Sequence, residues 1–370
     1  MRNILYVLFC SIGALYMFVV PCTVVAQEQA PVREEIVEGR VVEIVPLDES
    51  TDSAEPGQKI KVELSADKAE GKIIDIAVTG TTKRVGEAEY KEGDRLVLAR
   101  TENRAGEEIY YVRDFVRRPA LLWLFLVFVI LTVAVARWRG LTSLLGMALS
   151  FLVIFKFILP RILSGSSPIF VILISSLFII PTTFFLSHGV NKKTFVSVGS
   201  TLISLFFTVA LAVVFNRWAR LTGFSSEEAA FLETMDPGQI NFKGLVLAGM
   251  IVGVLGVLDD ITVAQASVVE KLREANPRMP AKDLFFKALD VGRDHIASMV
   301  NTLVLVYAGA SLPLLLLFVD TSENLAMVVN NETLAVEIIR TLVGSIGLIF
   351  AVPITTLLAV NAFPRPFSSQ

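Results

Sequence analysis

The feature that most constrains this chain is a series of apolar runs, beginning at residue 119, each about as long as a bilayer is thick. A helix needs about 20 predominantly apolar residues to cross the hydrocarbon core. Lipid offers no hydrogen-bond partners, so a spanning segment must pair its backbone groups internally, as a helix does. We therefore predict a polytopic α-helical membrane protein with about seven transmembrane helices. They cover residues 119–136, 141–159, 168–186, 194–215, 244–269, 297–319 and 338–360.

Composition divides the chain into two environments. Hydrophobic residues make up 54% and charged residues 19%, whereas an ordinary soluble domain has about 45–50% and about 25%. The charged residues concentrate between residues 27 and 118. The net charge of −3 gives no reason to expect a nucleic-acid partner. With two cysteines, Cys10 and Cys22, and two histidines, the sequence predicts neither a disulfide framework nor a metal site.

The N-terminus has the layout of a secretory signal sequence. Arg2 supplies a short positive region, residues 4–20 form an apolar run, and side chains of modest size precede a cut after Ala26. The apolar run is also almost long enough to remain as an uncleaved N-terminal anchor. Residues 1–26 are therefore a signal peptide or an anchor, and either one places residue 27 onward outside the cytoplasm.

Residues 27–118 predict a small N-terminal all-β domain that is extracytoplasmic. Alternating positions rich in β-branched residues indicate five short strands, separated by turn signals such as Pro56-Gly57. Five strands in about 80 residues suggest an OB-like barrel. Such a domain either binds a ligand or partner or forms only a compact ectodomain, because a fold does not determine a function. The strands cover residues 36–46, 58–64, 72–79, 95–100 and 108–114.

The distribution of charge predicts the orientation. With the β domain outside, the external loop at 320–337 contains no Lys or Arg, which fits the positive-inside rule for a bacterial plasma-membrane protein. Arg113, Arg117 and Arg118 do not fit, but the signal sequence exports the domain that contains them. An odd number of spans leaves the C-terminus in the cytoplasm. The basic residues of the cytoplasmic loops are Arg137, Arg139, Lys192, Lys193, Lys271, Arg273, Arg278, Lys282, Lys287 and Arg293.

The fifth span carries the first candidate site. Three glycines and an aspartate are spaced by four, three and four residues, so they share one helix face: Gly249, Gly253, Gly256 and Asp260. Small residues at this spacing let a neighbouring helix pack closely, which would turn Asp260 into the bundle. Asp259 and Asp260 would lie about 22 Å along the span, where a charge is costly unless it is paired or hydrated. The alternative is that both carboxylates cap a shorter span in solvent.

A second polar face leads into the sixth span. Its residues recur at intervals of four, four and three, and Asp and His chains often relay protons or cations. We predict that this face and Asp260 meet across one polar cavity open to the cytoplasm. The alternative is an amphipathic cytoplasmic helix from Ala281 that carries surface charges. The residues assigned to the binding site are Asp259, Asp260, Thr262, Gln265, Asp290, Asp294, His295, Ser298 and Asn301, with Gly249, Gly253 and Gly256 assigned to helix packing.

The sequence contains none of the catalytic patterns that would indicate an enzyme. It has no Walker A sequence, no Gly-x-Ser-x-Gly and no His-Glu-x-x-His. The Gly-x-Gly-Asp signature of intramembrane aspartyl proteases is also missing, because Gly256 is followed by Val257-Leu258-Asp259. We therefore expect no enzymatic activity, no cofactor and no catalytic residue.

Two long motifs contain these candidate residues. They are Gly253-Val-Leu-Gly256-Val-Leu-Asp259-Asp260-Ile-Thr262-Val-Ala-Gln265 and Asp290-Val-Gly292-Arg293-Asp294-His295-Ile-Ala-Ser298-Met-Val-Asn301-Thr302. In these motifs the sequence resembles the YibE/F family of bacterial membrane proteins, and the likeness extends from about Val37 to Val360. The resemblance implies a polytopic membrane protein, in a family often thought to be transport-related, and it assigns no substrate or catalytic residue.

These patterns favour a permease or ion-coupled transporter, in contact with the lipid bilayer and with a small ion or solute. The alternative is a non-transporting membrane sensor that docks a membrane or envelope protein through its β domain. A membrane-embedded enzyme ranks third. A transporter needs a water-accessible cavity that reaches Asp260, whereas a sensor can have a fully packed interior.

Overall fold

A computed structural model describes residues 35–46, 58–65, 71–78, 90–102, 108–235, 237–320 and 324–364. The described residues form two compact units, one ending at Leu131 and the other beginning at Thr132. The predicted signal peptide or anchor, residues 1–26, lies outside the described residues.

The first unit contains one antiparallel sheet of five strands in the order β3-β2-β1-β4-β5. The central strand β1 (Glu35–Pro46) pairs with β2 (Gln58–Leu64) on one side and with β4 (Arg95–Glu102) on the other. β3 (Ile73–Val78) and β5 (Glu108–Phe115) are the outer strands. All five predicted strands are confirmed, with boundaries that differ by at most two residues.

Alternation along the strands buries one face of this sheet, as its period of two requires. Val41 and its partner Val62 are no more than 1% exposed, and so is Leu96. At the ends of the two outer strands, the Lys72 ammonium donates a hydrogen bond of 2.9 Å to the Glu108 carboxylate. This hydrogen bond lowers the pKa of Glu108.

The first apolar helix turns back on itself. In α1 (Arg118–Val153), Arg137 has φ 54° and ψ −132°, which is not a helical conformation. Beyond this kink the chain returns so closely that a Cβ on Gly140 would lie 2.5 Å from the carbonyl oxygen of Thr132. Residues eight apart in a straight helix are separated by about 12 Å. The missing side chain of Gly140 therefore permits the reversal.

A π-helical turn, Ile154–Ile158, joins α1 to the short α2 (Leu159–Leu163). Pro160 has no N–H group to donate to the carbonyl of Lys156, so the regular hydrogen-bond ladder cannot continue and the helix widens here.

Asparagine side chains begin three of the remaining long helices. Asn191, Asn241 and Asn331 each accept a hydrogen bond from a backbone N–H group two or three residues further along. The remaining helices are α3 (Pro168–His188), α4 (Lys192–Trp218), α5 (Glu227–Met235), α6 (Phe242–Ala275), α7 (Ala281–Ala310), α8 (Leu312–Asp320), α9 (Leu325–Asn330) and α10 (Glu332–Ala362).

The number of separate candidate spans is smaller than predicted. Among the described residues, five helical stretches are long and apolar enough to cross a membrane, and six if α7 and α8 form one span. The predicted spans 119–136 and 141–159 both fall in the stretch Arg118–Leu163, broken at Arg137. α7 and α8 meet at 66°, because Pro313 removes a backbone hydrogen bond at the start of α8.

α6 organises the second unit, since α3, α4, α7 and α10 all pack against it. It runs as one helix past Asp260, which confirms that prediction. One side of α6 is buried, with Leu258 and Ile261 at most 1% exposed. The other side, with Gly249, Gly256 and Asp260, is exposed. The two faces of α6 therefore lie in different environments.

Candidate functional site

A cavity of about 570 Å³ opens beside the exposed side of α6. α1, α3 and α6 form its walls. Most of its wall is apolar, but it also gathers two carboxylates, a guanidinium, an imidazole and several hydroxyl groups. Its lining residues are Thr132, Ala136, Arg139, Gly140, Ser143, Gly146, Met147, Ser150, Thr183, Phe184, Ser187, His188, Asp259, Asp260, Val263 and Ala264.

The two adjacent carboxylates hold different positions in this cavity. Asp259 is partly buried, and its Oδ1 atom is shielded and has no hydrogen-bond partner among the described residues. Asp260 is exposed, and both it and Arg139 lie within electrostatic range of His188. A shielded carboxylate oxygen without a donor is costly unless water, a proton or a cation completes it. The Asp259 carboxylate is therefore the group in this cavity that most needs a further partner.

In the part of the chain that the structure describes, no three His, Cys, Asp or Glu side chains come close enough together to hold a metal ion.

Thr262 and Gln265 point away from the cavity, into the packed side of α6. The Thr262 and Thr201 hydroxyl oxygens lie 2.8 Å apart, within one hydrogen bond. The Gln265 amide donates to the Thr356 hydroxyl at 2.7 Å and to the Ala288 carbonyl at 2.9 Å. Thr262 and Gln265 therefore do not share the site of Asp260, because their side chains form hydrogen bonds to neighbouring helices instead.

The polar face of α7 does not reach the cavity, so the prediction of one shared cavity is wrong. The buried side of α7 contains Ala288 and Gly292. At 100° per residue, the predicted polar face lies roughly 180° around the helix from Gly292. The five predicted residues are all exposed, and none lines the cavity: Asp290, Asp294, His295, Ser298 and Asn301. Asp290 instead pairs with Arg293 at 3.3 Å, as in the alternative of surface charges on an amphipathic helix.

The glycine face of α6 is also not packed as predicted. A Cβ added at Gly249 or Gly256 would meet no atom within 4 Å. At Gly253 it would meet only the Tyr307 hydroxyl, at 3.0 Å. The prediction of a close helix contact along this stripe is therefore wrong at two of its three glycines. Gly249 and Gly256 border open space instead.

Sequence reasoning missed the residues that α1 and α3 contribute. His188 and Arg139 were noted only as a rare residue and a loop charge, and the hydroxyls Thr183 and Ser187 were not singled out. A signal was present, because Arg139, Ser143, Gly146 and Ser150 are spaced by four, three and four residues, as are the residues of the stripe on α6.

The chain was next compared with known proteins. The sequence profile of YibE/F-like proteins matches residues 124–365, which is well over half of the chain. The chain belongs to the YibE/F family. No curated protein and no solved structure matches it.

The YibE/F match fits the fold. It covers the long apolar helices and the walls of the cavity, and it includes both motifs that carried the resemblance. This YibE/F-like chain is therefore a multi-pass membrane protein. The matched residues begin at 124, so the extension of the likeness back to Val37, across the β sheet, stays a prediction.

Proposed function

We propose that this protein is a proton- or cation-coupled permease whose coupling site is the cavity around Asp259 and Asp260. The observation that carries the proposal is a cavity in the helical bundle that gathers ionisable side chains, with a shielded carboxylate oxygen on its wall that has no partner among the described residues. In membrane proteins, ionisable groups at such positions usually mark ion or substrate pathways.

Each group would have a distinct role. Asp259 and Asp260 take up and release the proton or cation. His188 and Arg139 adjust the charge of the cavity, and the hydroxyls of Ser143, Ser150 and Thr183 replace part of the hydration shell of a passing cation. The open space at Gly256 gives the solute room beside the carboxylates.

The proposed topology is seven spans in a bacterial plasma membrane, with the β domain outside. The reversal at Arg137 supports two crossings within Arg118–Leu163, which at about 69 Å would be far too long for one. Counting α7 and α8 as one bent span then gives seven. Arg139 at the cavity and Lys193 near His188 support a cytoplasmic position for the cavity, because basic residues favour that side.

We also propose an OB-like barrel for the first unit. The strand order supports it, because β1 lies centrally and the outer strands β3 and β5 approach each other, where Lys72 pairs with Glu108.

Proton flux tests the permease proposal. The full chain is reconstituted in liposomes that contain a pH-sensitive dye, and a potassium diffusion potential drives proton entry. Wild-type vesicles should acidify faster than empty ones, and Asp260→Asn should reduce the rate to that of empty vesicles because an amide cannot exchange a proton. Asp283→Asn is the matched control, since Asp283 is exposed in the first turn of α7. Acidification of wild-type vesicles no faster than empty ones would count against the permease.

A second candidate is a non-transporting protein that docks a partner in the membrane. The polar outward face of α7 favours it, because Ser298 and Asn301 are exposed on an otherwise apolar helix segment. The two candidates differ in whether the cavity contains water. Ser143→Cys, in a chain with Cys10 and Cys22 replaced by Ser, should react with a water-soluble thiol reagent if the protein is a permease. A thiol that stays unreactive until the protein unfolds would indicate the docking protein.

A further inference from the structure

A second group of polar side chains lies outside the cavity, between α7 and α10. The Nη1 atom of Arg340, on α10, lies 3.1 and 3.4 Å from the two carboxylate oxygens of Glu337. Both side chains are about three-quarters buried, with 27% and 24% of their surface exposed. The Nε atom of Arg340 is shielded and has no hydrogen-bond partner among the described residues.

Tyr307 completes this group from α7. Its hydroxyl lies 3.0 Å from the position that a Cβ of Gly253 would occupy, so it reaches the open face of α6. Arg340 lies one helical turn before Gly344, where an added Cβ would lie 3.3 Å from the Val254 side chain, and Val254 is next to Gly253 on α6. Arg340 and Glu337 also act on the Tyr307 hydroxyl electrostatically. Among the described residues, the Tyr307 hydroxyl has no hydrogen-bond partner.

Two hydrogen-bond donors therefore lack an acceptor in the same part of the bundle, and one of them carries a positive charge. A shielded and charged donor without a partner, here the Nε group of Arg340, is costly, so it is best completed by an acceptor that is itself charged. The partly buried Tyr307 can add a second donor to the same acceptor. An ordinary snorkelling arginine would present its head group to water. Here the Nε side of the guanidinium stays inside, and Glu337 holds the other side in place.

We propose that Arg340 and Tyr307 form a binding site for an oxyanion, such as the carboxylate or phosphate group of a small solute. A guanidinium presents its Nε and terminal N–H groups as a fork that matches a carboxylate or phosphate, and the tyrosine hydroxyl adds a third donor. Glu337 is a positioning residue, because it orients the guanidinium without contacting the anion.

The position of this site relates it to the proposed permease, on which this inference rests. Gly253, below the Tyr307 hydroxyl, is seven residues from Asp260 on the same face of α6, a distance of about 10 Å along the helix. Gly256 lies between them beside open space. An anion at Arg340 and a proton at Asp260 would then occupy one path. The proposed substrate is therefore a small organic or inorganic oxyanion that moves together with a proton.

Thermal unfolding in nanodiscs tests the site without a transport assay. The full chain in phosphatidylcholine nanodiscs is heated with sodium succinate or sodium phosphate, and with sodium chloride at equal ionic strength. A ligand that binds only the folded protein raises the unfolding temperature in proportion to its occupancy. At least one oxyanion should stabilise the protein beyond chloride. Tyr307→Phe and Arg340→Lys should each weaken the apparent affinity by about tenfold, because each removes donors to a charged group.

Matched variants separate this site from general attraction of anions. Tyr111→Phe changes an exposed tyrosine of β5, and Arg217→Gln removes an exposed charge near the end of α4. Both should bind as the wild type does. Arg340→Lys keeps the charge beside Glu337, so its folding should survive.

A parallel arm identifies the source of the oxyanion. Nanodiscs that contain phosphatidylglycerol, with no soluble oxyanion, test a lipid phosphate in place of a solute. If phosphatidylglycerol alone stabilises the protein, and this effect requires Tyr307 and Arg340, the oxyanion site is supported. The proposal that its ligand is a soluble substrate would then be wrong.

The proposed oxyanion site is wrong if no oxyanion stabilises the protein more than chloride does. It is also wrong if Tyr307→Phe and Arg340→Lys bind the oxyanion as tightly as the wild type does. If either result is found in a wild-type protein that still shows proton flux, the permease proposal is retained and the oxyanion substrate is rejected. Oxyanion binding that requires both residues, in a protein without proton flux even when the same oxyanion is supplied outside the vesicles, supports the site and overturns the coupling.

Discussion

At the residue scale, Gln265 shows how a polar side chain in an apolar bundle can serve structure rather than transport. It is 1% exposed and its amide joins α6 to Ala288 of α7 and to Thr356 of α10. Asp259, only six residues earlier on the same helix, has a shielded oxygen with no such partner in the described chain. The difference in hydrogen bonding, rather than polarity alone, distinguishes a structural group from a candidate functional one.

Replacing Gln265 by leucine should therefore destabilise the protein, while the charged residues that line the cavity stay the same. Two buried hydrogen bonds are lost, and interhelical hydrogen bonds contribute roughly 0.6 kcal/mol each on average, so we expect a loss of about 1–2 kcal/mol. Thermal unfolding in detergent measures the change. Gln239→Leu, at an exposed position, is the control and should unfold like the wild type. An unchanged unfolding temperature in Gln265→Leu would show that the amide contributes no stability.

At the scale of elements, α7 has two sides with opposite properties. Its inner side packs so closely that a Cβ on Gly292 would lie 2.5 Å from the Val352 side chain and 3.0 Å from the Gln265 amide oxygen. Its outer side carries Asp294, Ser298 and Asn301 and contacts no wall of the cavity. The glycine therefore sets how closely α7 approaches α6 and α10.

Alanine at two glycines of α7 should change stability in opposite directions. Gly292→Ala forces neighbouring side chains to move and should cost about 1–3 kcal/mol. Gly309→Ala meets no atom within 4 Å, so it should stabilise the helix by about 0.5–1 kcal/mol through the reduced entropy of the unfolded chain. Unfolding of both variants under one condition measures the two shifts. The close contact at Gly292 would be refuted by two variants of equal stability.

At the scale of the whole molecule, the chain combines a β sheet rich in ion pairs with a bundle of apolar helices. The sheet exposes charged pairs such as Lys59 with Asp75 and Lys61 with Glu43, which suit water. The bundle exposes large apolar side chains such as Phe170 and Phe206, which suit lipid. These surfaces support an arrangement in which only the helical part is embedded in the membrane.

Cysteine labelling of intact cells tests the proposed orientation. With Cys10 and Cys22 replaced by serine, Ser65→Cys in the exposed end of the sheet should react with an impermeant thiol reagent from outside. Lys282→Cys, exposed at the start of α7, should react only after permeabilisation. The reverse pattern would invert the topology and place the cavity at the external end.

The sequence by itself determined the elements of this protein. Strand alternation and long apolar runs are local patterns, so the strands were predicted to within two residues and α6 was predicted to continue past Asp260. The spacing of Gly249, Gly253, Gly256 and Asp260 also identified a single face of that helix. Such patterns report which residues share a face, because the period of a helix is fixed by its backbone.

Only the tertiary structure decided what each face meets. The rotation of a helix about its axis depends on contacts with helices distant in sequence. Spacing could therefore not show which side of α7, that of Gly292 or that of Asn301, faces the bundle interior. For the same reason, open space at Gly256 and the arrival of His188 beside Asp260 were not predictable from either segment alone. The cavity exists because α1 reverses at Arg137 and contributes its polar side to the wall, together with α3 and α6.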